Sequence, residues 1–221
     1  MPISALDRAT PLFRRLSFLC SAIYFMTVPL QFPGRFAVKG LAIASLAAIA
    51  WVGRAWMLWF ALVASAVGDV LLDLDRGRLF IPGLCAFLVA HVVYTGFFAS
   101  RWPIPPRLSL PQIVLLPLIL AYAAAFGFWL APELATMHLI FPVMIYICVI
   151  ATMVITSVGA KLSKAVPIGA FLFLISDSLL AIAKFKEGSF ALRDYLVWGT
   201  YYGAQYFITT GVLRSFGLSS N

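Results

Sequence analysis

Apolar segments long enough to cross a lipid bilayer dominate this sequence. Eight of them follow one another, separated by short connections that carry Pro, Gly and charged residues. A helix that spans about 30 Å of hydrocarbon needs about 20 apolar residues, because each residue adds about 1.5 Å. The predicted helices comprise residues 16–30, 36–52, 56–74, 80–100, 111–130, 137–156, 166–183 and 195–213. We therefore predict an all-α integral membrane protein, a bundle of eight transmembrane helices forming a single transmembrane domain over residues 1–221.

The composition supports lipid as the solvent. Hydrophobic residues make up 63% of the chain and charged residues 11%, whereas soluble domains have about 45–50% and about 25%. The net charge is +8, but the basic residues lie between apolar segments and form no dense patch with interleaved aromatic rings. This pattern is typical of contact with lipid headgroups and argues against nucleic acid as a partner.

The distribution of Lys and Arg predicts an orientation. With eight spans, the side that holds the N-terminus carries nine of these residues and the opposite side carries seven. This bias favours both termini in the cytoplasm, in a bacterial inner membrane. Arg8, Arg14 and Arg15 precede the first apolar segment as in a signal peptide, but no convincing cleavage site follows. We expect this segment to be a retained first helix.

A short internal repeat relates the two halves of the chain. Residues 66–72 of the third predicted helix are similar to residues 174–180 of the seventh, with Asp69 matching Asp177. In the fourth and eighth helices, Ala90-His91 is similar to Ala204-Gln205. This similarity predicts two four-helix repeats in the same orientation, which would put both aspartates at similar depth.

Few ionisable residues lie within the apolar segments. They include Lys39, Asp69, His91 and Asp177, and each costs about 2.5–3.5 kcal/mol to insert into a bilayer, which makes it a candidate for function. The alternative is a structural role in which the aspartates pair with Lys39 or His91. Two aspartates at matched depth favour function, because apolar surroundings can keep one carboxyl protonated while the other is ionised.

Polar side chains accompany these residues on the same helix faces. Tyr94 lies three positions after His91, Tyr202 lies three before Gln205, and Tyr146 lies in the sixth helix. These groups could hydrogen-bond a polar ligand between helices. Sequence motifs of metalloproteases, serine hydrolases and P-loop proteins do not occur. Cys20, Cys85 and Cys148 each lie in an apolar segment without zinc or disulfide spacing.

Four motifs carry a resemblance to a known family. They are Gly68-Asp69-Val-Leu-Leu; Ala86-Phe87 with Ala90-His91-Val-Val-Tyr94; Gly169-Ala170 with Phe173-Leu-Ile-Ser176-Asp177-Ser-Leu-Leu-Ala181; and Tyr201-Tyr202-Gly-Ala204-Gln205. Together they resemble the YhhN family of membrane lysoplasmalogenases, from about Lys39 to Leu213. The acidic stretch at residues 72–76 departs from the mostly apolar helix end expected in that family, which leaves the headgroup preference open.

The resemblance implies an enzyme that hydrolyses the vinyl ether bond of lysoplasmalogens. The products would be a fatty aldehyde and glycerophosphocholine or glycerophosphoethanolamine, and Asp69 and Asp177 would be the catalytic pair. One carboxyl would protonate the alkene and the other would stabilise the resulting cation, as the two carboxylates of glycosidases do. Lys39 would bind the phosphate, while His91, Tyr94, Tyr146, Tyr202 and Gln205 would orient the polar end of the lipid.

Other functions stay open at this stage. Midplane carboxylates also occur in transporters of small solutes or protons. We expect no metal and no other cofactor, since two carboxylates and one neutral His make a poor zinc site. The enzyme hypothesis predicts that the third and seventh helices are adjacent and that Asp69, Asp177, His91 and Gln205 line one cavity, with Lys39 at its polar end. It also predicts that this cavity narrows into an apolar slot.

Overall fold

The computed structural model describes residues 3–30, 32–75, 77–104, 108–186 and 192–217, with side chains described from residue 10 onwards. These residues form eight α-helices and no strand, which confirms the all-helical prediction. The helices are α1 (Ile3–Met26), α2 (Arg35–Val52), α3 (Trp56–Leu74), α4 (Phe80–Ala99), α5 (Leu110–Thr136), α6 (Ile140–Gly159), α7 (Ala165–Phe185) and α8 (Arg193–Ser215).

Six of these helices, α2 to α7, are long and apolar enough to cross a membrane. Their apolar side chains cover much of the outer surface of the bundle, where Phe128 and Phe141, for example, are largely exposed. A surface of this kind needs lipid around it. The chain is therefore a multi-pass membrane protein. The predicted orientation rested on counts of Lys and Arg on the two sides of the membrane. Three of the counted residues lie outside those whose side chains are described: Arg8, Arg76 and Arg107.

The boundaries of three helices differ most from those expected from the apolar segments. Helix α1 begins at Ile3 rather than residue 16 and ends at Met26, ahead of Pro29, because the residue before a proline disfavours helical backbone. Helix α5 continues past Pro132 to Thr136, since the Lys186 ammonium neutralises Glu133 at 2.6 Å. Helix α6 then starts at Ile140, because His138 has a left-handed φ of 57° that breaks the helix.

The helices pack in two groups of four consecutive antiparallel neighbours, α1–α4 and α5–α8. The groups meet where α4 packs against α6 and where α2 packs against α8. Glycines permit close approaches within each group: a Cβ on Gly68 would lie 2.7 Å from the Phe87 ring, and one on Gly169 would lie 2.7 Å from the Ala204 carbonyl oxygen. These contacts let α3 pack closely on α4, and α7 on α8.

The expected adjacency of the third and seventh helices is wrong. Along their described lengths, α3 and α7 do not contact each other. Aromatic side chains of α4, α7 and α8 stand between the two helices: the rings of Phe87 and Tyr201 lie 5.7 Å apart, and the rings of Phe173 and Tyr201 lie 5.3 Å apart. The large rings hold the two helices apart and leave a cavity on the side nearer their C-terminal ends.

Candidate active site

The cavity between α3 and α7 has a volume of about 190 Å³ and contains both aspartates in its wall. It lies where α3 and α7 end and where α2, α4 and α8 begin. Its polar lining residues are Tyr24, Lys39, Asp69, Ser176, Asp177, Lys184, Arg193, Asp194, Trp198 and Tyr201. The two carboxyls therefore face one space, although their helices are not in contact.

Asp69 is held by a cation and a phenol. Its side chain is 1% exposed, and Lys39 Nζ lies 3.1 Å from Oδ1. The Tyr201 hydroxyl donates a hydrogen bond of 2.5 Å to Oδ2. The Lys39 ammonium also lies 5.7 Å from the ring centroids of Tyr24 and Trp198, within the range of cation–π attraction. A carboxylate with these partners is a fixed negative charge at the cavity wall.

A hydrogen-bonded chain extends behind Asp69 into the core. Gln205 Nε2 donates to the Tyr201 hydroxyl oxygen at 3.4 Å, and the Tyr94 hydroxyl donates to Gln205 Oε1 at 2.8 Å. Tyr94 and Gln205 are fully buried. These bonds fix the orientation of the Tyr201 hydroxyl, so that it points at Asp69.

Asp177 is held by a phenol and an imidazole. The Tyr146 hydroxyl donates to Oδ2 at 2.5 Å, and His91 Nε2 lies 3.0 Å from the same oxygen. His91 Nε2 also lies 3.0 Å from the Tyr146 hydroxyl, while Nδ1 is buried with no hydrogen-bond partner among the described residues. A neutral imidazole with its proton on Nε2 fits this setting, because it leaves no donor unsatisfied. Both hydrogen bonds end on the same carboxyl oxygen, Oδ2, and neither involves Oδ1.

Asp177 is also the more accessible carboxyl, and it borders a second space. Its side chain is 12% exposed, compared with 1% for Asp69. A crevice of about 40 Å³ begins at Asp177 and Tyr146 and is otherwise lined almost entirely by apolar residues of α4, α5, α6 and α7. An apolar slot next to the cavity was expected, and Asp177 lies where the two spaces meet.

The structure brings together only part of the set of residues that the sequence indicated. Lys39 and Tyr146 contact the aspartates and His91 contacts Asp177, but His91 and Gln205 are buried behind the cavity rather than in its lining. That expectation was wrong: Tyr201 lines the cavity and Gln205 bonds to its hydroxyl from the core side, while His91 packs with its ring 4.5 Å from that of Phe173. A catalytic or binding role for each residue stays a prediction.

Tyr202 lies away from the cavity, and its neighbour Tyr201 takes the place next to Asp69. The Tyr202 hydroxyl is 3.0 Å from Ser17 Oγ of α1. Successive residues of a helix point about 100° apart, so only one of two adjacent tyrosines can face Asp69. The sequence offered one signal that Tyr201 faces Asp69: it lies four positions before Gln205 and so shares a helix face with it. Tyr202, three positions before Gln205, meets the same condition equally well.

The chain matches the model of the YhhN family over residues 34–212. Among curated proteins, it is 33% identical over 162 residues to proteins named lysoplasmalogenase from Mycobacterium bovis and Mycobacterium tuberculosis, which covers 72% of this chain and 60% of theirs. It is also 33% identical over 185 residues to human lysoplasmalogenase TMEM86B, covering 80% of this chain and 75% of the human protein. The matched part thus spans 60% of the length of the mycobacterial relatives. No solved structure matches the chain.

Proposed function

This chain belongs to the YhhN family, and from that membership and the geometry of the cavity we propose that it is a lysoplasmalogenase. It would hydrolyse the vinyl ether bond of an alkenyl lysophospholipid to a fatty aldehyde and a glycerophospho headgroup, either glycerophosphocholine or glycerophosphoethanolamine. The observation that carries the proposal is that two carboxyls in one cavity have different partners, a lysine ammonium and a phenol at Asp69 and a phenol and an imidazole at Asp177. The names of the relatives support the reaction class.

Hydrolysis of a vinyl ether begins with a proton added to the alkene carbon furthest from the ether oxygen. The product is a cation shared between the other alkene carbon and the oxygen, similar to the cation formed by glycosidases. A protonated carboxyl and a carboxylate on either side of the bond supply both needs. Asp69 and Asp177 in the cavity wall can supply the protonated carboxyl and the carboxylate.

We assign the proton donor to Asp177 and the stabilising charge to Asp69. Lys39 at 3.1 Å stabilises the Asp69 anion. Asp177 receives its bonds at Oδ2 from uncharged groups, so Oδ1 can carry a proton toward the cavity. The two aspartates, although chemically identical, thus have different roles because side chains from other helices give them different partners.

Hydrolysis of the vinyl ether would proceed in three steps. Asp177 transfers its proton to the distal alkene carbon, and Asp69 stabilises the resulting oxocarbenium ion. Water adds to the carbon next to oxygen and returns a proton to Asp177. The hemiacetal then collapses: its hydroxyl proton moves to the ether oxygen, the carbon–oxygen bond to glycerol breaks, and the aldehyde is released. One water is consumed and both carboxyls return to their initial states.

The polar end of the substrate would lie at the cavity mouth. This part of the wall is lined by Lys184 at the end of α7 and by Arg193 and Asp194 at the start of α8. We propose that Lys184 and Arg193 bind the phosphate and that Asp194, 2.9 Å from Arg193, approaches the ammonium of the headgroup. Lys39 would then act on Asp69 rather than on the phosphate, a change from the role expected from sequence.

We further propose that all eight helices cross the membrane as two repeats in the same orientation. Asp69 is bonded from α2 by Lys39 and from α8 by Tyr201, while Asp177 is bonded from α6 by Tyr146 and from α4 by His91. Each aspartate is thus held by the second helix of its own group and the last helix of the other.

Both termini would face the cytoplasm of a bacterial inner membrane. Among the Lys and Arg residues on the opposite side, Arg35 and Lys39 are committed to Asp73 and Asp69 within the bundle and so add little to headgroup contact. The cavity, which opens on that side, would then face away from the cytoplasm. Modification of a cysteine placed at residue 78 by a membrane-impermeant thiol reagent in whole cells tests this orientation.

The function is tested by aldehyde release from purified protein in detergent, with alkenyl lysophosphatidylethanolamine and alkenyl lysophosphatidylcholine as substrates. In D₂O, with rapid reduction of the product, the aldehyde should carry one deuterium on the carbon next to the carbonyl. No aldehyde from either lipid would overturn the proposal. Transport of a solute or proton by sealed vesicles, without hydrolysis, would instead favour the transporter hypothesis.

A first prediction concerns bond selectivity. The alkyl ether analogue, which lacks the alkene, should bind competitively but yield no product, because protonation needs a double bond. The acyl lysophospholipid should also release no fatty acid, since Ser176, the one serine in the described part of the cavity wall, donates its hydroxyl to the Val197 carbonyl oxygen rather than to a base. Product analysis by mass spectrometry measures both, and fatty acid release would identify an esterase.

A second prediction compares adjacent tyrosines on α8. Tyr201→Phe removes the hydrogen bond to Asp69 and should lower kcat about tenfold or more, as expected for a bond to a charged group at the reacting centre. Tyr202→Phe removes only the contact with Ser17 and should leave kcat within about twofold. Equal effects of the two substitutions would contradict the placement of Tyr201 beside the chemistry.

A further inference from the structure

The apolar crevice beside Asp177 lies between α5 and α7. It extends from Asp177 and Tyr146 to Phe126 and Ala123 of α5 and Ala181 of α7. Phe80, Asp177 and Leu180 belong to the walls of both the crevice and the polar cavity. The two spaces are thus adjacent at the carboxyl that we assign as the proton donor.

Helix α5 is the loosest wall of this crevice. It packs mainly on α6, with a minor contact to α7, and along its length only Ile119, Gly127, Leu130 and Leu134 are buried. A Cβ on Gly127 would lie 3.0 Å from the Met144 sulfur, so α5 is fitted to α6 and not to α7. The seam between α5 and α7 faces the surrounding lipid.

At the level of Asp177, one polar contact among the described residues closes the seam. A second, the ion pair of Glu133 with Lys186, joins α5 to the C-terminal end of α7. The Tyr122 hydroxyl of α5 donates a hydrogen bond of 2.7 Å to Ser178 Oγ of α7, the residue after Asp177. Tyr122 is 42% exposed, and its ring stacks on Phe126 at 5.7 Å between centroids. A single hydrogen bond between uncharged groups is weak enough for thermal motion to break it readily.

We propose that this crevice is the subsite for the hydrocarbon chain of the substrate, which enters from the lipid between α5 and α7. The inference rests on the proposed function. A chain in the crevice puts the alkene carbon nearest to it at Asp177, the carbon that must be protonated, and puts the glycerol in the polar cavity. This orientation gives a reason, independent of the charges, for Asp177 to be the acid.

The crevice must widen to hold a long chain. Its volume of about 40 Å³ is comparable with that of one or two water molecules. Opening the Tyr122–Ser178 contact and moving α5 away from α7 supplies the space. Because the substrate comes from lipid, burial of its chain adds little driving force, and the crevice acts through its shape and length.

A larger apolar groove on the outer face of α2 and α3 is the competing site. It has a volume of about 930 Å³ and includes Gly40, Ala44 and Val67, but neither aspartate. A chain in that groove would not bring its alkene to Asp177. It therefore provides a matched control position, Ala44, which is exposed to lipid.

The test measures kcat/KM for alkenyl lysophosphatidylethanolamines with chains of 8 to 18 carbons. Ala123→Phe, which blocks the crevice, should lower kcat/KM about tenfold or more for the longest chain, given the cost of overpacking, while the shortest chain loses less than about twofold. Leu174→Ala, which widens the crevice, should shift the optimum to longer chains. Ala44→Phe should leave the whole profile unchanged.

The outcomes separate the inference from the function on which it rests. If wild-type protein releases no aldehyde at any chain length, the proposed function fails. If wild-type protein is active and Ala123→Phe affects all chains equally or none, the crevice is not the chain subsite. A shift with Ala44→Phe instead assigns the chain to the outer groove. If Ala123→Phe does not fold, the Leu174→Ala profile decides, and an unchanged optimum overturns the inference.

Discussion

Asp177→Asn is expected to lower kcat for vinyl ether hydrolysis about 10³-fold, within the range of about 10²–10⁴ for general acid catalysis. An amide cannot supply a proton to carbon, so the first step loses its donor. The amide oxygen can still accept hydrogen bonds from Tyr146 and His91, which now reach Asp177 Oδ2 at 2.5 and 3.0 Å. The variant should therefore fold and bind the alkyl ether analogue as the wild type does.

Asp75→Asn is the matched control for removal of one carboxylate. Asp75 follows the end of α3, outside the membrane-spanning segment and outside the cavity wall. Backbone N–H groups of Arg78 and Gly77 donate to its carboxyl and hold its pKa below the usual value. Loss of this charge should change kcat less than about twofold. Retention of more than a tenth of wild-type kcat by Asp177→Asn would remove Asp177 from the chemistry.

The residues of the polar core could be predicted from the sequence because burying charge in a bilayer is costly. Asp69, Asp177, Lys39 and His91 stood out because they interrupt apolar segments. In the structure they form pairs: Lys39 with Asp69, and His91 with Asp177. A purely structural role predicts the same two pairs, so the pairing alone does not decide between the hypotheses.

Which helices meet could not be predicted from the same pattern. Matched depth in two repeats suggested that α3 and α7 touch, whereas Phe87 and Tyr201 fill the space between them. Helix neighbours depend on the volumes of side chains that pack together, and apolar periodicity does not encode those volumes. For the same reason, sequence spacing did not distinguish Tyr201 from Tyr202.

The boundaries of α5 and α6 depended on contacts distant in sequence. Pro132 and Glu133 predicted a connection, but α5 continues through them because Glu133 pairs with Lys186 on the segment after α7. A charge in an apolar helix can be accepted when a partner neutralises it. The apolar segments thus indicated the number of helices better than the positions at which they end.

A double-mutant cycle on Asp69 and Lys39 separates the catalytic role from the structural one, with a large expected effect in each measurement. Asp69→Asn should lower kcat about 10³-fold, because no anion faces the oxocarbenium ion. It should also lower Tm, since breaking a buried ion pair leaves Lys39, with its side chain 15% exposed, without its counter-ion, at a cost of about 3–5 kcal/mol in the free energy of unfolding.

Lys39→Met added to Asp69→Asn should restore Tm in detergent while leaving kcat about 10³-fold below wild type. The methionine removes the unpaired cation and fills a similar volume between the rings of Tyr24 and Trp198, but it supplies no charge for the reaction. Stability and turnover therefore separate if Asp69 acts on the substrate. If kcat recovers together with Tm in the double variant, the ion pair serves only the fold, and the two-carboxylate mechanism is wrong.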